Sequence, residues 1–370
     1  MKKRNMKLFS LTLAAAMAFT MLGGCSKKQD EITTEAPTST EAGTMASVTM
    51  PAPPETTASE LPEGMMYSYL TGLPVTTEVG TKRPLAVMID NEKKAMPQNG
   101  VSSADVVYET PIEANEVRLE MIIQDYSELS RFGGLRSARR YHPGIAYEFD
   151  AIFFHHGHSD IALPYLEDTE HCDDIDGVTD RGYAATYEVD DHAQGHRTFS
   201  NPEKINTRIE KLGVRTEVRS DFDYKFKFAK ESAPNTLPNG TAANKVSIGY
   251  KQNQPWFEYH SDDQLYYRYA YGEAHIDQEN NQQVAVKNII VQYCDFELEW
   301  DKDTKNIYTT GEGSGVFITG GKSEPITWSK AEYWGNTHYF DANGQEIELN
   351  PGKTWVCIVL PKMTGEITVE

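Results

Sequence analysis

Pro84-Leu85-Ala86-Val87-Met88-Ile89-Asp90 is a short, unbroken apolar run that ends on an acid. Its length and composition predict a buried strand. Two more runs follow, Ala104-Asp105-Val106-Val107-Tyr108-Glu109 and Val117-Arg118-Leu119-Glu120-Met121-Ile122-Ile123-Gln124. In the second, Arg118 and Glu120 alternate with apolar neighbours, which predicts one exposed face. Ala151-Ile152-Phe153-Phe154-His155 reads as a fourth strand. Residues 136–147 are expected to be helical, although Pro143 and Gly144 interrupt them. A second helix is expected over 202–212, with Ser200 or Asn201 as its cap, Pro202 in its first turn and Gly213 as its stop. Strands alternating with helices predict a mixed α/β domain over residues 66–215.

From Val218 the character changes. Tyr224-Lys225-Phe226-Lys227-Phe228, Gln264-Leu265-Tyr266-Tyr267-Arg268-Tyr269-Ala270-Tyr271 and Ala285-Val286-Lys287-Asn288-Ile289-Ile290-Val291 are strand-like. Turn signals such as Pro238-Asn239-Gly240, Asn343-Gly344 and Asn350-Pro351-Gly352 separate them. Residues 216–370 are therefore expected to form a mainly β domain, and the class is α+β.

The N-terminus carries a different message. Lys2, Lys3, Arg4 and Lys7 precede an apolar run over 8–22, which ends in Leu22-Gly23-Gly24-Cys25. The run falls short of the roughly 20 apolar residues that a resident span needs. It has the order of an export signal, residues 1–24, and its end matches the bacterial lipobox. That match implies lipid on the Cys25 thiol and an extracytoplasmic position at the cell membrane. Residues 25–65 are rich in Thr, Ser, Pro and Glu, too apolar-poor to offset chain entropy, and are expected to be a disordered stalk. As coil, they would span on the order of 35 Å.

Removing the signal's four positive charges takes the formal net charge from -20 to -24. So acidic a body argues against nucleic acid, and against anionic membrane or wall polymer as a broad surface partner, while leaving room for a local basic site. Cys172, Cys294 and Cys357 remain beyond the lipidated thiol, and their wide spacing forms no disulfide framework or zinc pattern.

Seven of the ten histidines fall between His142 and His196. Gly133-Gly134-Leu135-Arg136-Ser137-Ala138-Arg139-Arg140 places arginines at an expected helix start, where guanidinium forks hold carboxylate or phosphate. Arg118, Arg136, Arg139 and His158 are the ligand-binding candidates. In His155-His156-Gly157-His158-Ser159-Asp160, the residues His156, His158 and Asp160 are the metal-ligand candidates. No other cofactor is predicted. Asp190-Asp191-His192-Ala193-Gln194-Gly195-His196 supplies an acid beside imidazoles, which suits a general base. His155, Asp191 and His196 are the catalytic candidates.

Arg83-Pro84-Leu85-Ala86-Val87-Met88-Ile89-Asp90-Asn91, Pro97-Gln98, Ala104-Asp105-Val106-Val107-Tyr108-Glu109, Arg136-Ser137-Ala138-Arg139-Arg140-Tyr141 and Leu349-Asn350-Pro351-Gly352-Lys353-Thr354-Trp355-Val356 together resemble the YerB-like bacterial lipoproteins. The resemblance runs from about Leu73 to the C-terminus. It implies a two-part ectodomain behind a lipid anchor and supplies no activity. The chain departs from that family in two places. Ala114-Asn115 stands where the family has Gly-Gly, and Gly195-His196-Arg197 where it tends to Pro-His-Asn.

Two functions are compatible with these residues. One is a lipoprotein that binds a cell-wall component or an envelope protein. The other is an envelope hydrolase acting on glycan or peptide through the Arg/His/Asp residues. Binding is the preferred reading, because no established catalytic motif is present.

Overall fold

The computed structural model describes residues 61–179, 183–361 and 367–370. The expected signal, the Cys25 expected to carry lipid and most of the expected stalk lie outside the described residues.

Residues 84–90 supply an inner strand of an 11-stranded sheet, third from one side. In chain order its strands are β1 (Leu85–Ile89), β2 (Val106–Pro111), β3 (Val117–Ile123), β4 (Ile152–His155), β5 (Asp174–Asp176), β6 (Thr241–Ala242), β7 (Asn288–Tyr293), β8 (Gly311–Thr319), β9 (Lys322–Lys330), β10 (His338–Phe340) and β11 (Thr354–Val359). The spatial order is β6-β9-β8-β7-β11-β2-β3-β1-β4-β5, with β10 added on β9. β11 runs parallel to both β7 and β2, pairing Cys357 with Val291 and with Glu109. The two halves of the sequence therefore share one continuous sheet.

Both faces of that sheet are covered, which is why β1 and β11 read as near-continuous apolar runs rather than alternating ones, and why β2 is buried along its whole length, Glu109 and Thr110 included. On one face Leu85, Val87, Leu119, Met121 and Trp355 pack against Ile205 and Ile209 of the helix Pro202–Leu212. The same layer takes Val246, Phe257 and Tyr266 from a second, six-stranded sheet of the C-terminal half. On the other face Ala86, Met88, Tyr108 and Ile122 pack against Tyr141, Ile145, Phe149 and Trp328. The helix Pro202–Leu212 begins as expected. Asn201 accepts from the Lys204 amide at 2.9 Å, and Gly213 closes the helix in the left-handed region.

Two expectations need correction. β3 has no exposed face: every residue from 117 to 123 is buried, Arg118 and Glu120 included. Both carboxyl oxygens of Glu120 lack a hydrogen-bond partner, and burial pushes its pKa well above the usual carboxylate range. The second correction concerns 136–147, where only His142–Tyr147 is helical. Arg136–Arg140 is spent on lateral bonds instead: the Arg136 amide donates to Met88 O and the Ala138 amide to Gly157 O. Those donors are unavailable to a helix, and Pro143 fits only its first turn.

Two buried ionic clusters join the halves across the sheet. Glu148 accepts from Lys330 Nζ at 2.7 Å, from the Thr337 amide at 2.9 Å and from Lys225. These cations hold Glu148 down to about 2, against its burial. On the opposite face Glu109 accepts from Arg268 at 2.8 Å, Asn253 at 2.7 Å and Trp355 at 3.0 Å. Cys172, Cys294 and Cys357 are buried free thiols. Among the described residues no helix is long and apolar enough to cross a membrane.

Candidate functional site

β1, β2, β4, β5, β7 and β11 all present their carboxyl ends at one edge of the sheet, and β3 begins there. Loops at such an edge are free of ladder duty, so ligands commonly sit there. Asp90 ends β1, Thr110 lies near the end of β2 and Arg118 stands opposite it in register.

Arg136 fastens the first part of the site. Its Nε donates to Asp90 Oδ2 at 2.6 Å and its Nη2 to Glu92 Oε1 at 3.0 Å. His196 brings Nδ1 to 2.7 Å from the same Asp90 oxygen, and Arg136 Nη2 lies 3.1 Å from that nitrogen. Asp90, Glu92 and His196 are thus a donor set with the composition of a divalent-metal site. The guanidinium of Arg136 already stands among all three and supplies the positive charge they need.

Arg139 forms the second part. It grips Glu113 in two-point fashion, Nε to Oε1 at 2.8 Å and Nη2 to Oε2 at 2.5 Å, and this pairing helps hold the Glu113 carboxyl below its usual range. The Arg139 amide donates to His142 Nδ1 at 2.8 Å, so the ring proton belongs on Nε2, which reaches Thr110 Oγ1 at 2.9 Å. Burial and the neighbouring Arg118 charge keep that imidazole neutral.

Arg118 is the third part, and its situation differs. It is 6% exposed, yet among the described residues it forms no ion pair. Its Nη1 donates to the Ser137 carbonyl at 2.6 Å, an oxygen that Arg139 Nη1 also approaches at 3.3 Å. Burial first, then the Arg139 charge, lowers Arg118 to about 10, so it stays cationic at neutral pH. Its other N–H groups are not among the atoms sealed from solvent. Glu116, on the same side of the chain two residues earlier, is half-buried and also without an ion pair. Burial and the nearby Glu92 charge raise its pKa. A cationic fork and a carboxylate at one edge, neither in a direct ion pair, can receive a ligand from both sides, with Asp90 and Glu113 acting on the fork from beyond contact.

The structure brings together Arg118, Arg136, Arg139 and His196 from the predicted set. It leaves out the other five. His155 is fully buried, with Nε2 on Asp174 at 2.6 Å and Nδ1 on the Gly157 carbonyl at 2.7 Å, so neither nitrogen is free for substrate. Asp191 is a surface acid tied to Arg131 at 2.7 Å and His192 at 3.0 Å, whereas His196 pairs with Asp90 instead. Asp160 is exposed at the start of a short helix, His158 Nδ1 turns to the Ser159 carbonyl, and His156 Nδ1 is buried without a partner. His156, His158 and Asp160 therefore do not converge on an ion. Alternation within a strand puts His156 and His158 on one face, but Gly157 is left-handed here and breaks that geometry.

Acids at strand ends are a signal visible in the sequence, and Asp90, Glu113 and Glu116 carry it here, whereas nothing in the sequence singled out Glu92. The residues that carried the resemblance turn out to brace this edge. Glu109 also accepts from Asn91 at 3.1 Å, and Arg268 Nη1 meets His275 Nδ1 at 2.7 Å. His275 in turn contacts Gln98, whose amide donates to the Asp90 carbonyl.

The fold and site define an α+β protein whose two sequence halves complete one sheet and support a charged cluster at its carboxyl edge. The "Protein of unknown function (DUF3048) N-terminal domain" matches residues 70–215, and the corresponding C-terminal domain matches 246–356. Together they cover most of the chain, which belongs to this YerB-like family. The chain is 27% identical over 300 residues to "Putative lipoprotein YerB" of Bacillus subtilis (strain 168), covering 78% of this chain and 85% of that one. A crystal structure of the YerB protein from Bacillus subtilis matches with a TM-score of 0.71 at 26% identity, covering 80% of this chain and 96% of that one.

Proposed function

We propose that this protein is a lipid-anchored, extracytoplasmic binding protein that captures an anionic cell-envelope ligand at the Arg118 cluster. Arg118 carries the reading. A buried guanidinium with no carboxylate in contact loses hydration that Asp90 and Glu113, acting from further off, offset only in part, and a ligand oxyanion in two-point contact offsets the rest. The lipid on Cys25 keeps the body at the membrane, and the stalk gives it reach. Isothermal titration of the full chain in detergent against soluble cell-wall fragments tests this. Binding should occur and should fall at least tenfold in Arg118→Gln, with melting temperature retained. Heat from no fragment, or equal binding by the variant, overturns the reading.

The Asp90–His196 contact at 2.7 Å favours a second reading, hydrolysis with His196 as the base. Release of product from the same fragments, abolished by His196→Ala, would replace binding by catalysis.

A further inference from the structure

Trp300 is 82% exposed, while the other four tryptophans are buried or half-buried. It sits at the tip of a hairpin formed by Phe296–Leu298 and Lys305–Ile307. That hairpin continues from the carboxyl end of β7, the edge that holds the arginines. Phe296 and Ile307 pack in the same apolar layer as Ala138 and Tyr141, so hairpin and arginines also share a face. Two contacts fix the hairpin to the site. Lys305 Nζ donates to the Ile112 carbonyl at 2.6 Å, and the Ala114 amide donates to Asp303 Oδ1 at 3.4 Å. Ala114 adjoins Glu113, the partner of Arg139. Leu298, 49% exposed, extends the line from Phe296 outward, while Glu297 and Glu299 alternate to the other side.

We infer that the ligand is an anionic oligosaccharide, with Trp300 as the platform for one of its rings. The inference rests on the anion-binding reading above. The electron-rich indole face attracts the C–H face of a sugar ring. Arg118 takes a carboxylate or phosphate on the sugar, and Glu116 accepts from its hydroxyls. An inorganic anion leaves Trp300 in water, and a neutral sugar leaves Arg118 unpaired. Trp300 stands on the hairpin that meets Ile112 and Ala114, while Arg118 meets Ser137, so a ligand that touches both spans several linked rings rather than one.

The test uses the full chain in detergent and follows both heat and tryptophan fluorescence. Its probes are a hyaluronan tetrasaccharide, neutral chitotetraose, glucuronate, glucose 6-phosphate, inorganic phosphate and dialanine. The tetrasaccharide should bind at least tenfold tighter than chitotetraose or glucuronate and shift the emission to shorter wavelength. Trp300→Ala should lose at least tenfold and the fluorescence shift, whereas Trp300→Phe should retain most of the affinity. Comparing glucuronate with glucose 6-phosphate assigns the anionic group. Equal tetrasaccharide binding by Trp300→Ala, no gain over glucuronate or inorganic phosphate, or preference for dialanine overturns the saccharide inference and leaves anion binding standing. Failure of every probe to bind the unaltered chain removes both.

Discussion

Arg268 and Arg118 are buried guanidiniums on opposite faces of the same sheet edge, and their surroundings are opposite too. Arg268 is closed by Glu109 at 2.8 Å and His275 at 2.7 Å, stacks 4.6 Å from the Trp355 ring, and is fully buried. Arg118 meets one carbonyl. A charge that is paired and sealed belongs to the architecture, because removing its partner strands the other in the core. A charge that is buried but unpaired is tolerated where a ligand completes it. Burial alone does not separate the two roles. The presence of a counter-charge does.

The largest expected effect therefore falls on Arg268. Arg268→Met leaves Glu109 unneutralised and should cost about 3–5 kcal/mol in urea unfolding. A loss below about 1 kcal/mol would break the distinction. The other sealed cluster gives a pH signature. Glu148 sits at about 2 when folded, against an ordinary 4.5. Its contribution is thus complete above pH 4.5 and is lost as pH falls toward 2, on the order of 3 kcal/mol. Thermal scans between pH 5 and 2 should show the decline, and Glu148→Gln should flatten it while lowering stability at pH 7.

Arg118→Met should behave in the opposite sense, holding stability or gaining about 1 kcal/mol, because it removes a desolvated charge and one hydrogen bond. A loss of several kcal/mol would make Arg118 structural after all. The smallest change tests the loop beside Glu113. Ala114 and Asn115 have φ of 50° and 62°, in the left-handed region that favours glycine. Ala114→Gly should stabilise the chain by about 1 kcal/mol, read as a rise in melting temperature. No rise would show that the strain is absent in solution.

Much of the architecture was legible in the sequence. The runs at 84–90, 104–109 and 151–155 announced buried strands, since a segment covered on both faces is mostly apolar, whereas the buried Arg118 and Glu120 hid the same burial at 117–123. Asn201, Pro202 and Gly213 announced a helix by local chemistry alone. The arginines were legible as anion-binding residue types, but their partners were not. Arg136 and Arg139 converge through an extended segment rather than a helical face. The histidines misled for a related reason. His155 and His196 are chemically alike, yet a neighbouring strand supplies Asp174 to the one, and the end of β1 supplies Asp90 to the other.

The sequence by itself determined the strand-forming segments, the α+β class, the acidic character and the expected export and lipid signal. Each depends on composition or on neighbours a few residues apart. Only the tertiary structure decided that the two halves share one sheet and which charges are neutralised. Those outcomes depend on contacts such as Glu109 with Arg268, 159 residues apart, and on Arg118 having no such contact. Ion pairing is decided within about 4 Å in space, and nothing in the order of residues records that distance.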